Sequence, residues 1–247
     1  MGRVLLAVAA LCVVLTAGAT AGGFPRFGSG CTREDFASSG TTVRAELCRQ
    51  AGDGGRAVVV LHGCGGFSTF DHRIASGLPA LGVATLDVDY FGPTPPPGKK
   101  GFCDAGGHAF SVFGTWIQVV RDAAAKLRAT PGIDPKGVGV VGWSLGGGVA
   151  VAAASQQPQV FDALAGFSTG SFGAADVAGN LPPTILLSAG STDAIPLAET
   201  LPLYDALKAA HVPARLYVYP RGSHNWPGRQ GTLGIAHAAA FLKRYLR

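Results

Sequence analysis

The sequence predicts an α/β protein, a mostly parallel sheet covered by helices on both faces. Three observations point there. Short apolar runs of strand length alternate with longer helical patterns along most of the chain. The runs 57–61 and 137–142 are apolar or glycine throughout, as strands buried on both faces require. Residues 137–154 read as strand, sharp bend and helix with no linker between them.

Residues 22–30 are a glycine-rich lead-in, and 42–47 alternates like a strand. Residues 57–61 form a strand, 68–81 a helix, and 83–88 the next strand. The helical pattern at 109–130 is long and stops at Pro131-Gly132. A strand over 137–142 leads to a helix over 145–156, made almost entirely of small residues. Strands follow at 163–167 and 184–188, then a helix at 197–210, a strand at 214–219 and a closing helix at 232–245.

Within this frame, Gly142-Trp143-Ser144-Leu145-Gly146 fits G-x-S-x-G, a nucleophile elbow. A strand that turns directly into a helix forces the middle residue into a strained conformation. Its neighbours two positions away on either side must therefore lack bulk. The bend lifts the Ser144 hydroxyl off the sheet and aims the N–H of Leu145 at the place where an oxyanion forms. The pattern alone is weak. With 37 glycines in the chain, chance supplies about 0.3 matches. A second match exists, Gly166-Phe167-Ser168-Thr169-Gly170, but loop follows it and not helix. Ser144 is the candidate nucleophile, and Ser168 reads as a loop residue beyond a strand end. Gly137-x-Gly139-x-x-Gly142 also fits a dinucleotide fingerprint. Its glycines lie within the strand and not in the turn after it, so that reading is set aside.

Ligands of such sheets bind beyond the carboxyl ends of the strands. There lie His62-Gly-Cys-Gly-Gly66, whose loop residue Cys64 offers a second oxyanion N–H, then Asp193 and then His224. Ser, acid, His is the chain order that accompanies an elbow. A serine hydroxyl needs a base to take its proton, and the base needs an acid to fix its tautomer. Asp89 competes for the acid, while His62, His72, His108, His211 and His237 compete for the base. His62 is read as a holder of its own loop's backbone.

Residues 1–21 read as a cleaved signal. Arg3 precedes an apolar stretch, Val4 to Val14, and Ala19-Thr20-Ala21 offers the cleavage site. That leaves one catalytic domain over 22–247, secreted or periplasmic. The net charge of +5 is scattered, which excludes a nucleic-acid stripe, and no lasting membrane association is expected. Four cysteines remain, allowing three pairings. Cys31–Cys48 would staple two N-terminal strands, and Cys64–Cys103 would join two loops at one sheet edge. No metal site and no cofactor are expected. The sequence carries no signal of oligomeric state.

Taken together, the chain resembles the α/β-hydrolases and, more narrowly, the dienelactone hydrolase family. The resemblance rests on Gly142-Trp-Ser-Leu-Gly-Gly147, Gly190-Ser-Thr-Asp-Ala-Ile-Pro196 and Gly222-Ser-His-Asn-Trp226. It implies a sheet of seven or eight strands and an acyl-enzyme mechanism on esters or lactones. Dienelactone hydrolases proper carry cysteine in the elbow where this chain has Ser144. The proline-rich stretch 91–104 is expected to wall a cleft lined by Tyr90, Phe91, Phe167 and Trp226, with Trp143 packed under the elbow. An open cleft suits a small ester or a polymer end. The main reading is a serine carboxylic-ester hydrolase. A peptidase of the prolyl-oligopeptidase type and a non-catalytic binding protein on the same fold are its alternatives.

Overall fold

The computed structural model describes residues 30–246 except 99, 104–106, 135, 171–172, 191–192, 194 and 196. The expected signal over 1–21 lies outside the described residues. In chain order the strands are β1 Cys31–Arg33, β2 Phe36–Ser38, β3 Thr41–Val43, β4 Ala45–Cys48, β5 Ala57–Leu61, β6 Ala84–Val88, β7 Val138–Trp143, β8 Leu164–Phe167, β9 Thr184–Ser188 and β10 Ala214–Val218. The α-helices are α1 Thr69–Gly77, α2 Gly107–Arg128, α3 Leu145–Gln156, α4 Leu197–Ala209 and α5 Gly228–Tyr245.

Eight strands form one sheet in the order β1-β4-β6-β5-β7-β8-β9-β10. From β6 to β10 every neighbour is parallel, while β4 and β1 add antiparallel at one edge. Side chains of β5 show why both faces need cover. Val59 and Leu61 enter one apolar core, which α2, α3 and α4 close. Val58 and Val60 enter the other, closed by α1 and α5. All four are fully buried, as a period of two on a doubly covered strand demands.

Two expected elements are divided. The helix over 68–81 stops at Gly77, because Pro79 cannot donate to the helical ladder and starts a 3₁₀ turn, Pro79–Leu81. Gly82 then takes φ 83°, which ends that turn. The strand over 42–47 becomes β3, paired only with β2, and β4, which joins the main sheet.

Both favoured disulfides are present. Cys31–Cys48 staples β1 to β4, and Cys64–Cys103 ties the loop after β5 to the segment after β6. The Phe102 N–H also donates to the Cys64 carbonyl, 2.7 Å away.

One face of the sheet hides acids that the sequence did not flag. Glu46 and Asp87 stand opposite each other on β4 and β6. Asp71, on α1, belongs to the same buried group. Burial, then the charges of Asp71, Glu46 and Asp89, push the Asp87 carboxyl well up. Burial also raises Asp71 to about 7, against the pull of its capping bonds with Ser68. A raised carboxyl keeps in the folded state a proton that the unfolded chain releases near pH 3.9. Its stabilising share is thus complete below about pH 4 and is lost as pH rises to about 7.

His62, lowered to about 4 by burial, acts in the opposite sense from its ordinary 6.5 downward. Only a difference between variants isolates Asp71. Asp71→Asn should flatten the fall in unfolding free energy between pH 4 and pH 7, measured by urea titration. An identical pH slope in variant and native protein refutes this. Replacing Cys64 and Cys103 together by serine should remove about 2–5 kcal/mol of stability, an effect an unchanged urea midpoint would disprove.

Candidate active site

Backbone sterics build the elbow. Ser144 sits at φ 55°, ψ −119°, between the last residue of β7 and the first of α3. A side chain rarely tolerates that conformation, which stores of order 1–3 kcal/mol of strain. It persists because the chain is held on both sides. The Ser144 N–H donates to the Phe167 carbonyl at 2.9 Å, and the Ser144 carbonyl accepts from the Gly148 N–H at 3.2 Å. A Cβ on Gly142 would overlap the Gly146 carbonyl, and one on Gly146 would overlap the carbonyls of Leu61 and His62. Both glycines are therefore steric necessities. The N–H groups of the first turn of α3, Leu145 among them, have no helical acceptor. They open the positive end of the helix beside Ser144.

The loop 62–66 packs against this turn. Gly66 N–H donates to the Gly63 carbonyl at 3.1 Å, which folds the loop tightly around Cys64. The buried His62 donates from Nδ1 to the Gly63 carbonyl at 2.9 Å, and Tyr90 Oη–H donates to the His62 carbonyl at 3.0 Å. Stacking on Tyr90, with ring centroids 4.3 Å apart, completes its cage. His62 thus holds its loop and stays neutral. Asp89, the rival acid, pairs with Arg44 at 2.7 Å and stands 4.0 Å from His62 Nε2.

Asp193 meets His224. The carboxylate Oδ1 lies 2.5 Å from His224 Nδ1 and accepts the Ile195 N–H at 3.0 Å. Oδ2 accepts the Ser168 hydroxyl at 2.5 Å and the Ala189 N–H at 3.1 Å. Burial pushes this carboxyl up. The hydrogen bond and charge of His224, with the bonds from Ser168 and Ile195, outweigh burial and hold it below the ordinary carboxylate value.

Trp143 fastens the parts together. Its Nε1–H donates to the His224 carbonyl at 2.9 Å, and its ring lies against Gly63, where a Cβ would sit 2.9 Å from the indole. One side chain beside Ser144 therefore touches both the His224 loop and the loop 62–66. The other histidines lie elsewhere. His237 bonds Tyr219 Oη at 2.8 Å from α5, His72 lies on α1, and His211 sits in the turn after α4; the His108 side chain lies outside the described residues.

Two expectations need correction. Tyr90, Phe91, Phe167 and Trp226 do not line a cleft. Tyr90 and Phe91 pack with Phe102 and Trp116 in one core, and Phe167 and Trp226 with Phe70 in the other, all four at 0–4 % exposure. Aromatic rings at strand ends gain more by filling the core than by facing water. Ser168 is no idle loop residue. It is fully buried at φ 46° and bonded to Asp193. Only its place in a second G-x-S-x-G could have drawn attention to it, and that pattern points to a different role.

Among the described residues, the one trio of candidate metal ligands is Cys31, Glu46 and Cys48, and both sulfurs are spent in the disulfide. The fingerprint glycines Gly139 and Gly142 lie inside β7, and Asp162 accepts the Val138 N–H at 3.1 Å where that strand begins.

The dienelactone hydrolase family profile matches residues 43–243. The chain belongs to the dienelactone hydrolase family. That membership places it among the hydrolases. The fold is correspondingly similar to a dienelactone hydrolase from Anabaena variabilis, with a TM-score of 0.69 and 21% identity over 88% of this chain and 100% of the other. A hyperthermophilic esterase from Pyrobaculum calidifontis is similar at a TM-score of 0.67, 20% identity, 87% of this chain and 83% of the other. An acylaminoacyl peptidase from Pyrococcus horikoshii matches 87% of this chain but 41% of its own, at a TM-score of 0.69 and 16% identity. No curated protein matches the sequence.

The elbow sterics set a sharp contrast between glycines. Gly146→Ala should destabilise by about 1–3 kcal/mol or more, because the new methyl meets backbone that cannot move aside. Gly114→Ala, on the open face of α2, should stabilise by about 0.4–1 kcal/mol. Thermal unfolding of both variants decides the matter, and equal melting temperatures would refute the steric account.

Proposed function

We propose that this member of the dienelactone hydrolase family cleaves carboxylic esters or lactones through an acyl-enzyme on Ser144, with His224 as base and Asp193 as its orienting acid. The observation that carries this reading is the 2.5 Å contact between His224 Nδ1 and Asp193, beside the Ser144 elbow. With its Nδ1–H held by a carboxylate, a neutral His224 presents an unprotonated Nε2. That nitrogen takes the proton of the Ser144 hydroxyl as its oxygen attacks the ester carbonyl. The oxyanion that forms is met by the N–H groups of Leu145 and Cys64. Collapse expels the alcohol, which leaves with the proton from His224. Water then repeats the sequence on the acyl-enzyme and frees the acid.

Every catalytic group in this reaction is a residue of the chain, so it calls for no cofactor. The substrate class is a small soluble ester or an accessible polymer end. We further propose that residues 22–247 act as one catalytic domain, exported after loss of the signal at 1–21. Two disulfides fit an oxidising compartment. No helix among the described residues is long and apolar enough to cross a membrane.

Ser144→Ala should abolish hydrolysis of p-nitrophenyl acetate and labelling by a fluorophosphonate, with an unchanged circular dichroism spectrum. Asp193→Asn should lower kcat by roughly 10³–10⁴-fold and leave KM nearly as it was. Label found on Ser168, or full activity in Ser144→Ala, would move the nucleophile elsewhere.

A further inference from the structure

The second G-x-S-x-G, Gly166 to Gly170, lies one strand from the elbow. Its serine is placed with as much constraint as Ser144. Ser168 N–H donates to the Leu187 carbonyl at 2.8 Å, which locks the residue between β8 and β9. Its backbone takes φ 46° without being glycine, a conformation uncommon for serine. Its hydroxyl is fully buried and used twice. It donates to Asp193 Oδ2 at 2.5 Å and accepts the indole N–H of Trp226 at 2.9 Å. Trp226 stands two residues past His224 in the same loop, itself at φ 49°. Arg73 of α1 holds its carbonyl at 2.9 Å.

Donors thus converge on Asp193: Trp226 donates to Ser168, Ser168 donates to Asp193 Oδ2, and His224 Nδ1–H donates to Asp193 Oδ1. Together they link the ends of β8, β9 and β10. We propose that Ser168 is a positioning residue for the hydrolysis. On this account its hydroxyl, oriented by Trp226, fixes the rotamer of Asp193 and shares its negative charge, and so sets how strongly the acid holds the protonated base. The inference rests on the assignment of Ser144, Asp193 and His224 above.

The physics gives a sign. A carboxylate that accepts from Ser168 and Ala189 on one oxygen spreads its charge away from the other. Removing the Ser168 hydroxyl concentrates the charge on Oδ1, facing His224. The imidazolium is then held more tightly and gives up its proton at higher pH. Glu199 of α4 lies in electrostatic reach, its carboxyl raised first by burial and then by the charge of Asp193. Tyr219, raised to about 12 mainly by burial, packs on Trp226 and remains neutral in the working range. Arg73 bonds the Trp226 carbonyl from α1.

The test is the pH profile of kcat and KM on p-nitrophenyl acetate for native protein, Ser168→Ala, Ser168→Cys and Trp226→Phe, each also in a Glu199→Gln background. Ser168→Ala should lower kcat about ten- to a hundredfold, the loss of one hydrogen bond to a charged group. KM should change little, and the acid-side midpoint should move up by about 0.5–1 unit. Ser168→Cys, a weaker donor of similar size, should fall between. Trp226→Phe should shift the midpoint the same way by less, and it keeps the test open should Ser168→Ala fail to fold. Both shifts should survive Glu199→Gln.

An unchanged or lowered midpoint, or a loss confined to KM, overturns the inference. So does a shift that vanishes with Glu199. Native protein that neither hydrolyses the ester nor takes a fluorophosphonate would instead overturn the assignment of Ser144. His224 ring titration by NMR in native protein and Ser168→Ala would still read the coupling in that case.

Discussion

The turn at Ser144 depends on empty space. Helix α3 can start directly at the end of β7 because nothing projects from Gly142 or Gly146 into the backbone of Leu61, His62 and the helix itself. That close approach brings the positive end of α3, the loop after β5 and the serine to one spot. A strained residue survives only where its surroundings over-determine it. Here the strand ladder on one side and the first helical turn on the other do so.

The rest of the arrangement follows from the sheet order. β7, β8, β9 and β10 are adjacent and parallel, so Ser144, Ser168, Asp193 and His224 leave the same edge in sequence. Four successive strand ends reach one carboxylate and one hydroxyl without a long excursion of the chain. Tertiary bonds between loops then refine the placement. Trp143 reaches from the elbow to the His224 carbonyl, and Arg73 reaches from the opposite helix to the far end of the same loop. Trp143 gives one N–H to a backbone carbonyl and Arg73 donates to two, those of Trp226 and Gly228, so the loop's path is fixed largely through its backbone.

Much of this was legible in the sequence because local rules agree with the global fold. β5, β9 and α3 lie where their apolar runs and glycines put them, and the order of serine, acid and histidine after successive strands singles out Asp193. Both disulfides followed from compartment and loop placement. What was not legible depends on distant partners. Ser168 is bonded to a carboxylate 25 residues on and an indole 58 residues on, which no local pattern reports. The aromatic residues at strand ends look the same in sequence whether they face a cleft or fill a core. Asp87 hides in an apolar strand, and only the sheet register shows that Glu46 stands opposite it.

Helix α3 has a consequence of a different kind. Ten of its twelve residues are buried, and no side chain in it is larger than leucine or glutamine. A helix packed against strands, α2 and the 3₁₀ segment Ala174–Asn180 has little surface on which substitutions can drift freely. A bulkier side chain along α3, next to Ser144, therefore meets core or backbone. The half-exposed segment after Phe91 has the opposite freedom: its contour can vary while Cys103 keeps it attached to the loop after β5. Tight packing around Ser144 and a loosely packed but tethered neighbour thus place two parts of the chain under opposite mutational constraint.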